Sequence, residues 1–367
     1  MGLLRRALAR AVFLAVVVFY VVPYSCLILA RVLWWFFTNP TTCFYTKDRT
    51  GAPDVAVPPF ADKTFIEHDD IKLHVVHRKP GAGTRNMRSP SAPKPKLLLM
   101  VHGFPEFWYS WRHQFKALAP HFHVAAMDMR GYNLSGKPRL VSDYDAEKLA
   151  SDIPAVVRGL GYDTCILVGH DWGGAVGWLV CHLHPEVVEK YICLCGPHPR
   201  MFQRNMTLGQ ALRSSYIMAF QPPLIAEAWM SAFDFRGVAS AFTKPPFGAV
   251  QPGAITREDV ERYKVAISRP GALTATLNYY RAAFRRMGSG DPPETRQAMR
   301  RRLRMPVLVM AGARDAALGT ECYRNMEEVC EDVRVEIVDD ASHWLQQDQP
   351  DLVSRRILEF AGGGAAE

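Results

Sequence analysis

The sequence predicts an α/β fold: a mostly parallel sheet flanked by helices, with a helical cap inserted into it and an apolar transmembrane helix ahead of it. Three observations carry that prediction. Residues 166–178 (ILVGHDWGGAVGW) read as a buried strand that breaks into a glycine-spaced turn and then a small-residue helix. From Leu97 onward, short apolar runs alternate with amphipathic stretches, the rhythm of βα units and a parallel sheet. Between Pro197 and Leu303 that rhythm stops. Helical stretches rich in Met, Phe, Tyr and Trp take over, broken by Pro222-Pro223 and Pro245-Pro246.

In chain order, residues 11–30 (AVFLAVVVFYVVPYSCLILA) carry no charge and are about long enough to cross a bilayer. Arg5, Arg6 and Arg10 precede the run, and Arg31 and Trp34-Trp35-Phe36-Phe37 follow it, the pattern of a membrane helix with an interfacial aromatic belt. A cleaved signal peptide fits less well, because the run exceeds the usual apolar core and no small-residue cleavage site follows. Residues 1–40 are therefore assigned to a single-pass anchor. Lys47 and Arg49 offset much of the N-terminal positive excess, which leaves orientation open. Residues 41–62 form a linker with Pro and Gly breakers.

Lys63 to Val76 alternates like a strand pair around Asp69-Asp70, and Lys79 to Lys96 is a basic Pro/Gly/Ser-rich loop to which no function is assigned. Leu97–Val101 reads as a strand, Trp111–Leu118 as a helix, Val124–Met127 as a strand and Glu147–Leu160 as a helix. The elbow follows, then a strand over Tyr191–Cys195. Beyond the insertion come strands over Met305–Ala311 and Val333–Val338 and a helix over Leu352–Phe360. The expected division is core 63–196, cap 197–303, core 304–361 and a disordered tail 362–367.

At 367 residues and 49% hydrophobic content, the chain can bury one large core plus an inserted subdomain. Its net charge of +8 is scattered, with no zinc-finger, RNP or basic-helix pattern. Nucleic acid is thereby excluded in favour of a basic surface near anionic lipid. Eight cysteines in a chain this long read as core residues, with Cys193 and Cys195 on one strand, and not as a disulfide framework. Sequons stand at Asn133 and Asn205.

The chemistry turns on Asp171. Gly169 and Gly173 bracket it, as a tight elbow leaves no room for side chains and calls for unusual φ/ψ. The plain alternative is a βα turn whose aspartate caps the helix. A serine here would suit esters and amides, but at a saturated carbon it would leave an ether that water cannot cleave. A carboxylate leaves an ester, whose carbonyl water can attack, so Asp171 points to substitution at an sp³ carbon of an epoxide or alkyl halide. Hydrolysis then needs a base. His343 follows the last predicted strand and Asp315 the one before, in the order nucleophile, acid, histidine. His343 would activate water while Asp315 holds its tautomer. His102-Gly103-Phe104-Pro105 follows an early strand, and the backbone N–H groups of Phe104 and Trp172 are the expected oxyanion donors.

Taken together, residues from about 60 to 361 resemble the α/β-hydrolase-fold epoxide hydrolases, through HGFPE, DMRGY, GHDWGG, paired cap tyrosines and the late Asp and His. The apolar N-terminus further resembles the membrane-associated members, the epoxide hydrolase 3 and 4 type. The resemblance implies catalytic roles for Asp171, Asp315 and His343 and for two cap tyrosines. Tyr280, in Asn278-Tyr279-Tyr280-Arg281, matches the family's N-W-Y-R tyrosine, and Tyr216, ahead of Phe220-Gln221-Pro222, matches the first cap tyrosine. Their phenols would hold the epoxide oxygen and protonate the alkoxide. No metal or organic cofactor is implied. The substrates would be lipophilic epoxides, fatty-acid epoxides among them, met at the endoplasmic reticulum membrane. One departure is Asn133, where the family commonly has Gly after R-G-Y; Asn tolerates left-handed conformations.

Haloalkane dehalogenases also use an elbow aspartate, but they hold halide with the Trp after it and often an Asn in the H-G-x-P loop. Here Phe104 occupies that position. Halide release against diol formation separates the two. A membrane-tethered binding protein without turnover is the alternative from another class.

Overall fold

Asp69 and Asp70 both adopt positive φ (46° and 59°), the two-residue turn that matches the twist of a tight hairpin. It joins β1 (Asp62–His68) to β2 (Ile71–Arg78) at one edge of an eight-stranded sheet. The other strands are β3 (Leu97–Val101), β4 (His123–Met127), β5 (Cys165–His170), β6 (Val188–Leu194), β7 (Val307–Gly312) and β8 (Val333–Val338). Their order is β1-β2-β4-β3-β5-β6-β7-β8. Only the β1–β2 and β2–β4 pairings are antiparallel. β3, β4, β5 and β7 are buried at every residue, which is why they are near-continuous apolar runs and do not alternate. This computed structural model describes residues 11, 13–49, 51, 55, 58, 61–80 and 94–362. Arg5, Arg6, Arg10, most of the basic loop and all but the first residue of the tail lie outside them.

Some elements differ from expectation for local reasons. β6 starts at Val188 because Glu189 and Lys190, which interrupt the apolar run, find partners beside the strand. Glu189 accepts from Lys96 and Thr164, and Lys190 donates to the Phe360 carbonyl. Cys195 lies just past β6 at φ 45°. Trp111 belongs to a 3₁₀ turn (Trp108–Trp111), and the helix proper is Arg112–Leu118. All eight cysteines are free.

Between β6 and β7 the described residues contain no strand. Helices from Pro199–Arg204 to Pro293–Ala298 form a cap over the carboxyl end of the sheet. Long-range pairs fasten it to the core. Arg286 in the cap grips Glu147 with two bonds (2.6 and 2.7 Å), and Trp344 donates its indole N–H to the Phe247 carbonyl (2.8 Å).

The elbow helix (Trp172–Leu183) packs tightly against β3. A Cβ at Gly173 would run into the backbone carbonyls of Val101 and His102, which cannot move without breaking the sheet. Gly173→Ala is expected to lower stability by about 3 kcal/mol, the upper range for overpacking a filled core. Thermal unfolding of the detergent-solubilised protein measures it; an unchanged melting temperature would show that the elbow can shift.

Candidate active site

The strand register sets the loops of the site side by side. Val101 pairs with Gly169, His170 with Leu194, and Gly312 with Val338, so the chain leaves each strand at a similar height. Open α/β sheets hold their ligands at this carboxyl end. Asp171 sits at the tip of the elbow with φ 50° and ψ −115°. Its N–H donates to the Leu194 carbonyl (3.2 Å) and its own carbonyl accepts from Ala175 (2.8 Å). The carboxylate then lies against Gly103, where any Cβ would collide with Oδ1.

The two carboxylate oxygens have different neighbours. Oδ1 accepts the Phe104 N–H at 2.8 Å, while Oδ2 lies 3.5 Å from Nε2 of His343. Trp172 opens the elbow helix, so its N–H has no acceptor within that helix. On the far side of the imidazole, Nδ1 of His343 bonds Oδ2 of Asp315 at 2.7 Å. Asp315 is fixed in turn by the N–H groups of Ala317 (2.7 Å) and Leu318 (2.9 Å) on its other oxygen. With Asp315 as acceptor, Nδ1 carries the proton and Nε2 faces Asp171. Burial opposes charge on His343. The Asp315 charge and the bonds to Asp171 and Asp315 outweigh it and hold the imidazole well above its usual pKa. Burial likewise raises Asp171, but the bond and charge of His343, with His170 and the Phe104 N–H, win and hold it below its usual value.

Tyr280 lies on the cap helix Ala272–Ser289, edge-on to Phe104 (5.3 Å between ring centroids) and Trp172 (5.0 Å). It therefore packs over both residues whose N–H groups flank Asp171. Tyr216, on the short helix Tyr216–Ala219, packs against Tyr280 at 6.2 Å. Burial, with the Asp171 charge adding to it, raises both phenols above their usual pKa. The neighbouring Tyr279 also meets the Trp172 ring (5.6 Å) but turns its hydroxyl elsewhere. Its hydroxyl donates to the Arg130 carbonyl (2.6 Å), and its ring meets Tyr132 and Tyr144.

A family model described as alpha/beta hydrolase fold matches residues 96–350. Epoxide hydrolase 4 of Homo sapiens is 34% identical over 339 residues, covering 90% of this chain and 88% of its own. Epoxide hydrolase 3 of Mus musculus is 34% identical over 364 residues, covering 98% and 94%. The crystal structure of a Bacillus megaterium epoxide hydrolase in complex with an inhibitor matches with a TM-score of 0.70 at 31% identity, covering 82% of this chain and 100% of that one. The chain belongs to the epoxide hydrolases of the α/β-hydrolase fold.

Two residues of this epoxide hydrolase's site escape a sequence reading. Glu106 is buried and accepts from Ser110 and from Gln346 Nε2 (3.0 Å), while also bonding His170 Nδ1 (2.7 Å). His170 Nε2 reaches the His343 carbonyl at 2.8 Å. The chain Glu106–His170–His343 thus ties the His343 loop to the HGFPE loop. The sequence signals for Glu106 are its place at the end of HGFPE and its standing as a lone acid in an apolar run. Asn133, the departure from the family pattern, takes φ 41° and fills its place: Nδ2 donates to Asp128 (2.8 Å) and Oδ1 accepts from Arg269 (2.9 Å). Buried and committed on both sides, it has no room for a glycan.

His170, Cys195 and His343 bring ligand atoms within 4.8 Å of one another. His170 uses both nitrogens on Glu106 and the His343 carbonyl, and His343 uses Nδ1 on Asp315, so the trio is already engaged in hydrogen bonding. The adjacent tyrosines separate by experiment. Tyr279→Phe leaves the buried Arg130 carbonyl without its donor and is expected to cost about 1–3 kcal/mol of stability, with turnover at saturating epoxide largely kept. A large loss of turnover at unchanged melting temperature would put Tyr279 in the chemistry instead.

Proposed function

We propose that this protein hydrolyses lipophilic epoxides, fatty-acid epoxides included, to vicinal diols through a covalent ester on Asp171. The observation that carries the proposal is the division of labour on that carboxylate: Oδ1 anchored by the Phe104 N–H, Oδ2 turned towards His343. Oδ2 attacks an epoxide carbon, the C–O bond of the ring breaks, and Tyr280 and Tyr216 hold the departing oxygen and return a proton to it. Esterification removes the negative charge from Asp171. The imidazole loses one of the partners that hold its proton and gives up the Nε2 proton, which restores the one the phenols donated, so His343 becomes a neutral base after the first step and not before. It then takes a proton from water, which adds to Cγ of Asp171. The oxyanion on Oδ1 meets the N–H groups of Phe104 and Trp172, and collapse expels the diol carrying Oδ2. No step calls for a metal or an organic cofactor.

The aromatic lining of the cap supports an apolar substrate, and the apolar helix Phe13–Thr38 supports attachment to a membrane. The endoplasmic reticulum is the compartment this reading assigns.

Asp171→Ala is expected to abolish diol formation. His343→Gln is expected to accumulate one substrate mass per chain while steady-state turnover falls by about 100-fold or more, the typical worth of a general base. Intact-mass spectrometry reads both; normal turnover in His343→Gln would remove it as the base. In a single turnover in ¹⁸O-water, the wild-type diol should be unlabelled, and a fully labelled hydroxyl would mean direct attack by water. The raised phenol pKa values keep both tyrosines protonated to higher pH. Pre-steady-state alkylation is therefore expected to persist above pH ~10, the ordinary phenol value. A decline centred at or below that pH would contradict their role as proton donors.

A further inference from the structure

The N-terminal helix does not lead away from the protein. Its covered positions, Phe13, Val17, Tyr24, Ile28, Val32 and Trp35, recur at helical spacing and make one continuous stripe. The stripe meets the cap at both ends and between them: Phe13 on Phe284 (5.0 Å between rings), the Tyr24 hydroxyl 3.5 Å from Ser215 Oγ, and Trp35 on Phe233 (5.3 Å). The span Phe13–Thr38 has 26 residues, about 39 Å at 1.5 Å per residue, which exceeds the ~30 Å hydrocarbon core. A helix crossing the bilayer in this pose would carry the cap into the hydrocarbon with it, together with charges such as Arg213 and Arg285 beside the contact points. Each such charge costs about 2.5–3.5 kcal/mol or more at the bilayer centre.

The segment after the helix is fastened to the same surface. Phe233 and Asp234 donate their N–H groups to the carbonyls of Cys43 and Tyr45 (2.9 and 3.1 Å). The Arg49 guanidinium grips Asp234 (2.8 Å) and Glu261 (3.0 Å). Phe233, Asp234 and Phe235 all hold positive φ (51°, 58° and 57°), a costly backbone that persists only where its surroundings over-determine it. The linker supplies that constraint. The helix face turned from the cap is apolar and bare, with Phe19 75% and Phe37 76% exposed. On the cap, Leu212 and Leu224, on either side of the Tyr216 helix, are 59% and 81% exposed.

We infer that the helix lies in the plane of one leaflet of a phospholipid bilayer, docked on the cap, so that the protein is monotopic and does not span the membrane. Lipid is the occupant because an uncharged face about 39 Å long, edged by Trp34, Phe36 and Phe44 and by Arg31 at one end, has the make-up of an interfacial element whose other side is covered by protein in place of water. This placement departs from the single-pass anchor expected from the apolar run.

The test uses the full chain in sealed microsomes, with an epitope tag at each terminus. An in-plane helix keeps both termini on one side, so added protease should digest both tags or spare both. Digestion of one with protection of the other would overturn the inference, as would removal of the N-terminal tag from the mature protein or recovery of the chain wholly in the soluble fraction. Tyr24→Cys with Ser215→Cys, in a Cys26→Ser background, should be joined by a bismaleimide cross-linker about as long as the tyrosine side chain it replaces, in intact membranes, read as a linked peptide pair by mass spectrometry. Tags on one side without that link would refute docking on the cap.

Discussion

The site depends on one backbone conformation, the left-handed φ of Asp171. It turns the chain from strand to helix within a residue and lifts the carboxylate out of the sheet to where Phe104 and His343 meet it. An L-residue held there costs roughly 1–3 kcal/mol and stays only when its surroundings leave no alternative. Those surroundings are the absence of side chains at Gly103 and Gly173 and the bonds from Asp171 to Leu194 and Ala175. Gly103 and Leu194 lie at the ends of β3 and β6, the two strands that flank β5, so the sheet register is itself part of the geometry around Asp171.

Charge then orders the events. Asp171 and His343 stabilise each other's ionised forms in the resting site, which on the proposed mechanism makes the one a good nucleophile and leaves the other not yet a base. Alkylation cancels one charge of the pair. Asp315, its other oxygen fixed by two N–H groups, keeps the ring in place while the proton on Nε2 becomes easier to lose. In that mechanism one ion pair serves both half-reactions. Glu106 and His170 keep the loop carrying His343 from drifting when the charge changes.

Much of this was legible in the chain. β3 runs over the residues that its continuous apolar run marks, because burial on both faces dictates that pattern; β8 also runs over the expected residues, although Val335 and Ile337 on it stay exposed. Asp171, Asp315 and His343 are recognisable because each follows a strand, and strand ends are where a sheet gathers its loops. What stayed hidden depends on side-chain direction. Tyr279 and Tyr280 are one residue and about 100° apart on a helix, and only packing shows that both meet Trp172 while Tyr280 alone packs on Phe104 and Tyr279 turns its hydroxyl to Arg130. Glu106 finds Gln346 across a separation of 240 residues. Glu189 and Lys190 look like loop because a strand's polar partners, unlike its apolar face, leave no periodic trace. The apolar N-terminal run reports avoidance of water; it carries no information on whether the helix crosses a leaflet or lies in it.

On the proposed in-plane placement, the cap is where membrane and chemistry meet. Ser215, which touches Tyr24 of the N-terminal helix, immediately precedes Tyr216, whose ring packs on Tyr280 above the nucleophile. The cap helix Ala272–Ser289 carries Tyr280 near its middle and Phe284, the partner of Phe13, one turn further on. The same two cap segments therefore present hydroxyls to the site on one side and seat the apolar helix on the other. With that helix in the leaflet, an epoxide dissolved in lipid has the cap as its nearest protein surface. Its ring oxygen would come first to the phenols, which is the order the chemistry requires.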